Sequence, residues 1–424
     1  MRKSLKNVKN CIYFLENWEN RYYYIGMLVE FSINNFKSIK DSVTFSMLSG
    51  KSVNNVIKVN EKMNLLSCAA ILGANASGKT TIIDAFSMMK RIVLNHDKIF
   101  LSTDELPYNP FKLSTETENA STSFDIVFIH NGRQYKYGFE YDKNKIYDEY
   151  LFEYKSIKPT CVFDMGKAVP LNKDAYPELK EIKAKPDNYL YLWLCDQNGN
   201  EPAKNVLDFF KAMVITYDVS SVINAKLSAS LLHNETLKNI INRYMQKADF
   251  GITDVRINND NSDDKIDINN IIVSHKKFNE KDGSTDFVDF HMNNEESYGT
   301  YKFFSSLFPI LFALAQGSLV LYDELDASLH PLLLRKLLEL FRNKETNPHN
   351  AQLVISCQDV SLLDYLKDNI SQICFTQKDE DGKTIFHSLD EYSGVELKKK
   401  LQDLYLLGSF DAIPRLEGFN ETKG

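Results

Sequence analysis

The sequence predicts an α/β protein, with a parallel sheet covered by helices, a β-hairpin-rich subdomain and an inserted helical lobe. Three observations predict it. The apolar, strand-like run LLSCAAILG passes directly into the glycine-containing loop GANASGKT, and TTIIDAFSMMKRIVL continues at helical spacing. From Leu319 onward strand-like and helix-like runs alternate (SLVLYDE, SLHPLLLRKLLELF, AQLVIS, VSLLDYLKD, QICFTQ), the pattern of a parallel sheet with crossover helices. Between these two regions an Asn131-Gly132 pair separates two runs of alternating polarity, a strong hairpin signal.

Taken in order, the first 26 residues read as an extension ahead of a second methionine, Met27, where the period-two pattern of MLVEFSINNF and SVTFSM begins and suggests a hairpin. Residues 27–100 then form the first half of a nucleotide-binding core. Residues 101–200 form the β-rich subdomain. Residues 201–300 form the helical lobe, in which NVLDFFKAM and ETLKNIINRYMQKAD are helical and GITDVRI, NIIVSHKK and DFVDFHM are short strands. The helix GTYKFFSSLFPILFALAQ opens the second half of the core, 301–424. The stretch NNDNSDDKIDINN reads as a loop, Asp379–Gly382 as a turn between two short strands, and Lys398–Lys400 as a solvated helix face.

Composition excludes several classes. A hydrophobic fraction of 43% and a charged fraction of 25% are those of an ordinary globular protein. A net charge of −7 argues against a surface that coats itself non-specifically in nucleic acid, while leaving room for a local basic groove. The six cysteines are scattered with no CxxC pair, which points to buried free thiols rather than zinc or disulfides. No run of eighteen apolar residues occurs, so a cytoplasmic chain with no membrane partner is expected.

The loop from Gly73 to Thr80 fits GxxxxGK[ST] in the required strand–loop–helix context. Such a loop turns successive backbone N–H groups toward phosphate oxygens, and the helix N-terminus adds positive potential. The expected nucleotide-binding set is Gly73, Asn75, Ser77, Gly78, Lys79, Thr80 and Thr81, with Lys79 on the β- and γ-phosphates of ATP and the Thr80 hydroxyl on Mg²⁺. Far downstream, LVLYDE is an apolar strand ending in two carboxylates, which it delivers to the sheet edge where ligands bind. Asp323 suits the metal and Glu324 suits the general base that orients the attacking water. Ser297 and Gly299, at the start of a helix, are similar to the signature segment of ABC-type ATPases, which caps the γ-phosphate held by the opposite subunit.

In their order, GANASGKT, EESYGT, LYDELDASLHP and YLLGSFDAIP, together with MLVEFSINNFKSIKD and KADFGITDV, resemble the RloA/AbiL-type ATPases, relatives of the SMC and OLD proteins with an ABC-type head. The resemblance covers Met27 to Pro414. It implies a Mg²⁺-dependent ATPase whose two subunits sandwich two ATP molecules, with Asp326 in the loop that crosses the dimer and Ser328 and His330 following it. His330 reads equally well as a packed interface residue. The resemblance further implies a role in phage defence and abortive infection, with a separately encoded Toprim-type nuclease as effector. Where the family reads a histidine toward the γ-phosphate, this chain has Gln358, so Glu324 and Gln358 are the candidate catalytic pair. A residue capping the following helix is the alternative for Gln358. No Q-loop glutamine is evident; Tyr108-Asn109-Pro110-Phe111 stands at its place. The alternatives for the whole chain are a DNA-repair clamp of SMC or RecF kind, with nucleic acid as partner, and a nucleotide sensor that does not hydrolyse.

Overall fold

The computed structural model describes residues 26–50, 54–95, 98–99, 101–155, 158–167, 171–182, 185–218, 221–248, 251–258, 267–392 and 400–414. The N-terminal extension, most of the 258–270 loop, and Lys398 and Lys399 lie outside the described residues; Lys400 is exposed immediately before the last helix.

A parallel sheet forms the centre, because its strands are apolar on both faces and therefore need cover on both. Five of its strands are β5 (Cys68–Gly73), β10 (Val214–Thr216), β14 (Leu319–Tyr322), β15 (Gln352–Ser356) and β16 (Ile373–Lys378). β17 (Thr384–Ser388) completes it, giving the order β10-β14-β15-β5-β16-β17; only β17 runs antiparallel. Alternation sorts the side chains. Ala69, Ile71, Leu319, Leu321, Val354 and Cys374 face one core, whereas Ala70, Leu72, Val320, Tyr322, Leu353, Ile355 and Phe375 face the other.

On the first face lie α1 (Lys79–Val93) and a second, antiparallel sheet. That sheet takes β1 (Gly26–Asn34), β2 (Val43–Ser46), β6 (Thr122–His130), β7 (Arg133–Tyr141), β8 (Ile146–Tyr154) and β9 (Thr160–Asp164) in the order β2-β1-β6-β7-β8-β9. The Met27–Met47 hairpin is therefore not separate from the β-rich region: β1 pairs with β6 along nearly its whole length, so one sheet spans both sides of residue 100. The Asn131-Gly132 turn joins β6 to β7 with both residues at positive φ, 50° and 73°. Phe86 of α1 stacks on Phe31 of β1 with ring centroids 3.9 Å apart. The two sheets are also stitched by buried Gln352, whose carboxamide accepts from Leu28 N–H at 2.6 Å and donates to the carbonyls of Leu28 and Leu66.

On the second face lie α6 (Tyr298–Gln316), α7 (Pro331–Arg342) and α8 (Ser361–Leu366). The inserted lobe packs into the same core through α4 (Ser221–Ser230), α5 (Glu235–Lys247) and a small antiparallel sheet. That sheet consists of β11 (Ile252–Ile257), β12 (Ile271–Phe278) and β13 (Thr285–His291). Between the antiparallel sheet and β10 run α2 (Tyr191–Gln197) and α3 (Glu201–Ala212). The 201–300 region thus also lends the parallel sheet its edge strand β10. The Asp379–Gly382 turn connects β16 to β17 as expected, with Asp379 N–H donating to Lys383 O. The remaining elements are the hairpin β3 (Val56–Lys58) and β4 (Asn64–Leu66), and α9 (Leu401–Leu406) near the end of the described chain. All five described cysteines are free thiols, four of them buried. No described helix is long and apolar enough to cross a membrane.

Candidate functional site

The glycine-containing loop leaves the C-terminal end of β5 and turns into α1. Gly78 supplies no side chain to cap the helix and adopts φ 115°, a conformation that side-chain-bearing residues rarely reach. A Cβ there would also run into the Thr384 side chain of β17. No acidic residue occupies the first turn of α1. The helix therefore presents an uncapped, electropositive N-terminus framed by the loop, the arrangement that receives phosphate. The loop is anchored from behind: Ser77 Oγ lies 2.6 Å from Thr376 Oγ1, Thr384 Oγ1 donates to Ser77 O, and Thr81 Oγ1 lies 3.0 Å from Ser38 Oγ. Asn75 and Thr80 are exposed on the open side.

Lys79 is buried, and its ammonium donates to the carbonyls of Gly73 (2.8 Å) and Ala74 (3.0 Å), lying across the loop that it closes. Burial pushes its pKa down, partly offset by the nearby acids Glu324, Asp326 and Asp323.

Asp323, just beyond β14, is where the two halves of the sequence meet. Thr80 Oγ1 donates to its carboxylate at 3.0 Å, although 243 residues separate them. Ser356, at the end of neighbouring β15, donates its hydroxyl to the same carboxylate and accepts the N–H of Glu324 at 2.9 Å. A hydroxyl and a carboxylate within one hydrogen bond of each other are oxygen donors of the kind Mg²⁺ takes, and phosphate and water normally complete its shell. These residues fit Mg²⁺ and ATP. No group of three His, Cys, Asp or Glu side chains able to hold a metal without such help occurs among the described residues.

Glu324 sits at φ 53°, left-handed backbone for a non-glycine residue, held by Ser356 at its N–H and by Lys302 Nζ, 3.2 Å from its carbonyl. Gln358 is exposed and borders a cavity of about 570 Å³ shared with Gly73, Ala74, Asn75 and Ser77 of the loop and with residues 411–414 of the C-terminal segment. Its backbone N–H donates to Asp326 at 2.7 Å. The capping alternative for Gln358 does not hold, because Asp359 Oδ1 takes the Ser361 N–H at the start of α8.

Two expected site residues, Ser297 and Gly299, stand apart from this set, while Asp326 joins it through Gln358. Ser297 caps α6 by accepting the Thr300 N–H at 3.1 Å. Gly299 lies against the Ser328 carbonyl, which a Cβ would approach to 2.8 Å. Asp326 turns its carboxylate inward, accepting from both Gln358 and Asp359 N–H, and burial raises its pKa. It ties its loop to the Gln358 turn. His330 is exposed and caps α7, its Nδ1 accepting from Leu332 N–H. The Tyr108–Phe111 stretch packs on the turn after β1: Lys37 N–H donates to Asn109 O, and Phe111 N–H to Asn35 Oδ1.

Residues 68–364 match the family model described as "AAA domain, putative AbiEii toxin, Type IV TA system". This match spans more than half of the chain. The chain belongs to this AAA family. The matched span begins with β5 ahead of the phosphate loop and ends in α8, so it takes in Lys79, Thr80, Asp323, Glu324 and Gln358. Among solved structures, the recombination mediator RecF with ATP is similar over 87% of this chain and all of its own, at 13% identity and a TM-score of 0.35. A dimeric ATP-binding cassette, MJ0796, in a post-hydrolysis state with ADP and Pi, is similar over 81% of this chain and 99% of its own, at 11% identity and a TM-score of 0.29. No curated protein matches.

Sequence reasoning missed Ser356, Thr376, Thr384 and Lys302. Ser356 carried a faint signal as the last residue of an apolar strand next to Gln358; the others are ordinary residue types whose roles exist only in three dimensions.

Proposed function

We propose that this AAA-family chain is an ATP-driven switch, in which two copies close on two ATP molecules, slow hydrolysis reopens them, and the closed state controls a separate effector. The contact between Thr80 and Asp323 carries the reading, because it joins the phosphate loop to the acidic strand at the place where a nucleotide's Mg²⁺ would lie. Thr80 and Asp323 would hold the ion, which neutralises charge on the phosphate oxygens as the terminal bond breaks. Lys79, already in the mouth of the loop, moves from carbonyls to phosphate. Glu324 orients the attacking water and accepts its proton, while the Gln358 carboxamide can donate to a phosphate oxygen and accept from that water. Ser297 and Gly299, which have no place at the loop of their own chain, suit capping of the nucleotide on the partner.

A defence role agrees with the toxin–antitoxin description of the family; the controlled effector in this reading is a separately encoded Toprim-type nuclease, which rests on the sequence resemblance alone. The measurement is phosphate release from Mg²⁺-ATP by wild type and Glu324→Gln. Turnover in wild type that drops at least about a hundredfold in the variant is expected; equal rates would remove Glu324 from the chemistry. ATP-dependent retention of plain duplex DNA without any effector would favour the DNA-clamp reading instead.

A further inference from the structure

Lys302 lies one turn inside α6, downstream of Ser297 and Gly299, and its side chain is wholly buried. A buried ammonium requires partners, and this one has three. It forms an ion pair with Asp218, which comes from the inserted lobe. It donates to the main-chain carbonyl of Glu324 at 3.2 Å. It also lies over the Tyr322 ring, 5.2 Å from the centroid. Asp218 in turn accepts from Tyr298 OH at 3.2 Å, so the first turn of α6 is tied to the same carboxylate.

We propose that Lys302 is a positioning residue that couples the start of α6, and the lobe behind it, to the carboxylate of Glu324 in the same chain. Resting on the ATPase reading given above, it gives that reading a route by which capping of the partner's nucleotide sets the water-orienting acid. Glu324 holds left-handed backbone, a conformation that persists only where the surroundings over-determine it. Those surroundings are two hydrogen bonds, one at each side of the residue: Ser356 at the N–H and Lys302 at the carbonyl. Without Lys302 the carbonyl is released, the backbone can relax, and the carboxylate loses its direction. Gly299 supplies a second point of contact on the same loop through the Ser328 carbonyl. A shift of the helix start therefore reaches residues 324 and 328 together.

The test is Lys302→Met, which keeps the stem and removes the donor; Asp218 is one-third exposed and can take up water in exchange. Turnover should fall at least tenfold, with affinity for a fluorescent ATP analogue within about threefold of wild type. Lys302→Arg, which retains the ion pair, should recover part of the loss. In the double variant Lys302→Met with Glu324→Gln, the residual rate should equal that of Glu324→Gln alone, since a residue acting only through Glu324 has nothing left to position. Should Lys302→Met fail to fold, Lys302→Arg alone and combined with Glu324→Gln makes the same decision, with a partial loss that vanishes in the double variant. Wild-type turnover in the folded single variant, or losses that multiply in the double, would overturn the proposal. Absence of turnover in wild type itself would overturn the ATPase reading and this proposal with it.

Discussion

Thr80 and Asp323, 243 residues apart in the chain, meet with the threonine hydroxyl 3.0 Å from the carboxylate, and Ser356 holds that carboxylate from its other side. The three come from the start of α1, the end of β14 and the end of β15, so the parallel sheet itself is what aligns them. Asp323→Asn keeps the shape and removes the charge. Nucleotide binding by wild type is expected to weaken when EDTA removes Mg²⁺, while Asp323→Asn should bind with similar affinity in Mg²⁺ and in EDTA. Titration of a fluorescent ATP analogue in both buffers reads this directly, and an undiminished Mg²⁺ effect in the variant would place the ion elsewhere.

Lys79→Ala should abolish measurable ATP binding. The two loop carbonyls it leaves behind, on Gly73 and Ala74, lose one donor each, so the loss of stability without ligand should stay at about 1–3 kcal/mol. Calorimetry gives both numbers, and a melting temperature lowered by more than about 10 °C would make Lys79 a structural residue.

Gln358 borders the loop cavity and spends only its backbone N–H on Asp326, leaving its carboxamide for a ligand. Gln358→Ala should lower kcat at least about tenfold with ATP affinity little changed, the signature of a contact made mainly in the transition state. Gln358→His should keep hydrolysis and add a rate change between about pH 5 and 8 that wild type lacks. Wild-type kcat in Gln358→Ala would return Gln358 to a spectator role.

Glu149 is fully buried in β8, accepting from Tyr137 OH and from the N–H groups of Tyr191 and Leu192, and burial raises its pKa from 4.5 to about 7. The protonated form is the one that the fold favours. Its contribution is complete below about pH 4.5 and is lost as pH rises through about 7, a total of about 3 kcal/mol. Urea midpoints between pH 5 and 8 should therefore fall more steeply for wild type than for Glu149→Gln. Parallel slopes would show that Glu149 titrates normally.

Much of the fold was legible because it depends on local pattern. The strand–loop–helix around Lys79, the Asn131-Gly132 turn and the alternation after Leu319 are each written within a few tens of residues. Partnership across the chain was not. Period-two patterning marked Met27–Met47 as a hairpin but carries no label for its third neighbour, so the pairing of β1 with β6, which merges two expected units into one sheet, was invisible. The run from Gly299 to Gln316 was correctly a helix, yet its buried face includes Lys302, whose partners Asp218 and Glu324 lie 84 and 22 residues away. Asp326 shows the same limit: its motif marked the loop it sits in, but not that its carboxylate accepts two backbone N–H groups from the Gln358 turn 32 and 33 residues away.

The central claim is the proposal that ATP closes two copies of this chain on one another. Moving a population from 1:99 to 99:1 requires about 5.5 kcal/mol of differential affinity, which the proposal assigns to contacts from Ser297 and Gly299 to the partner's nucleotide. Light scattering of Glu324→Gln, in which turnover is expected to be at least about a hundredfold slower, measures this most directly. Mg²⁺-ATP should double the molar mass, and Ser297→Arg introduced into the same variant should prevent the doubling. An identical mass with and without Mg²⁺-ATP would contradict the account.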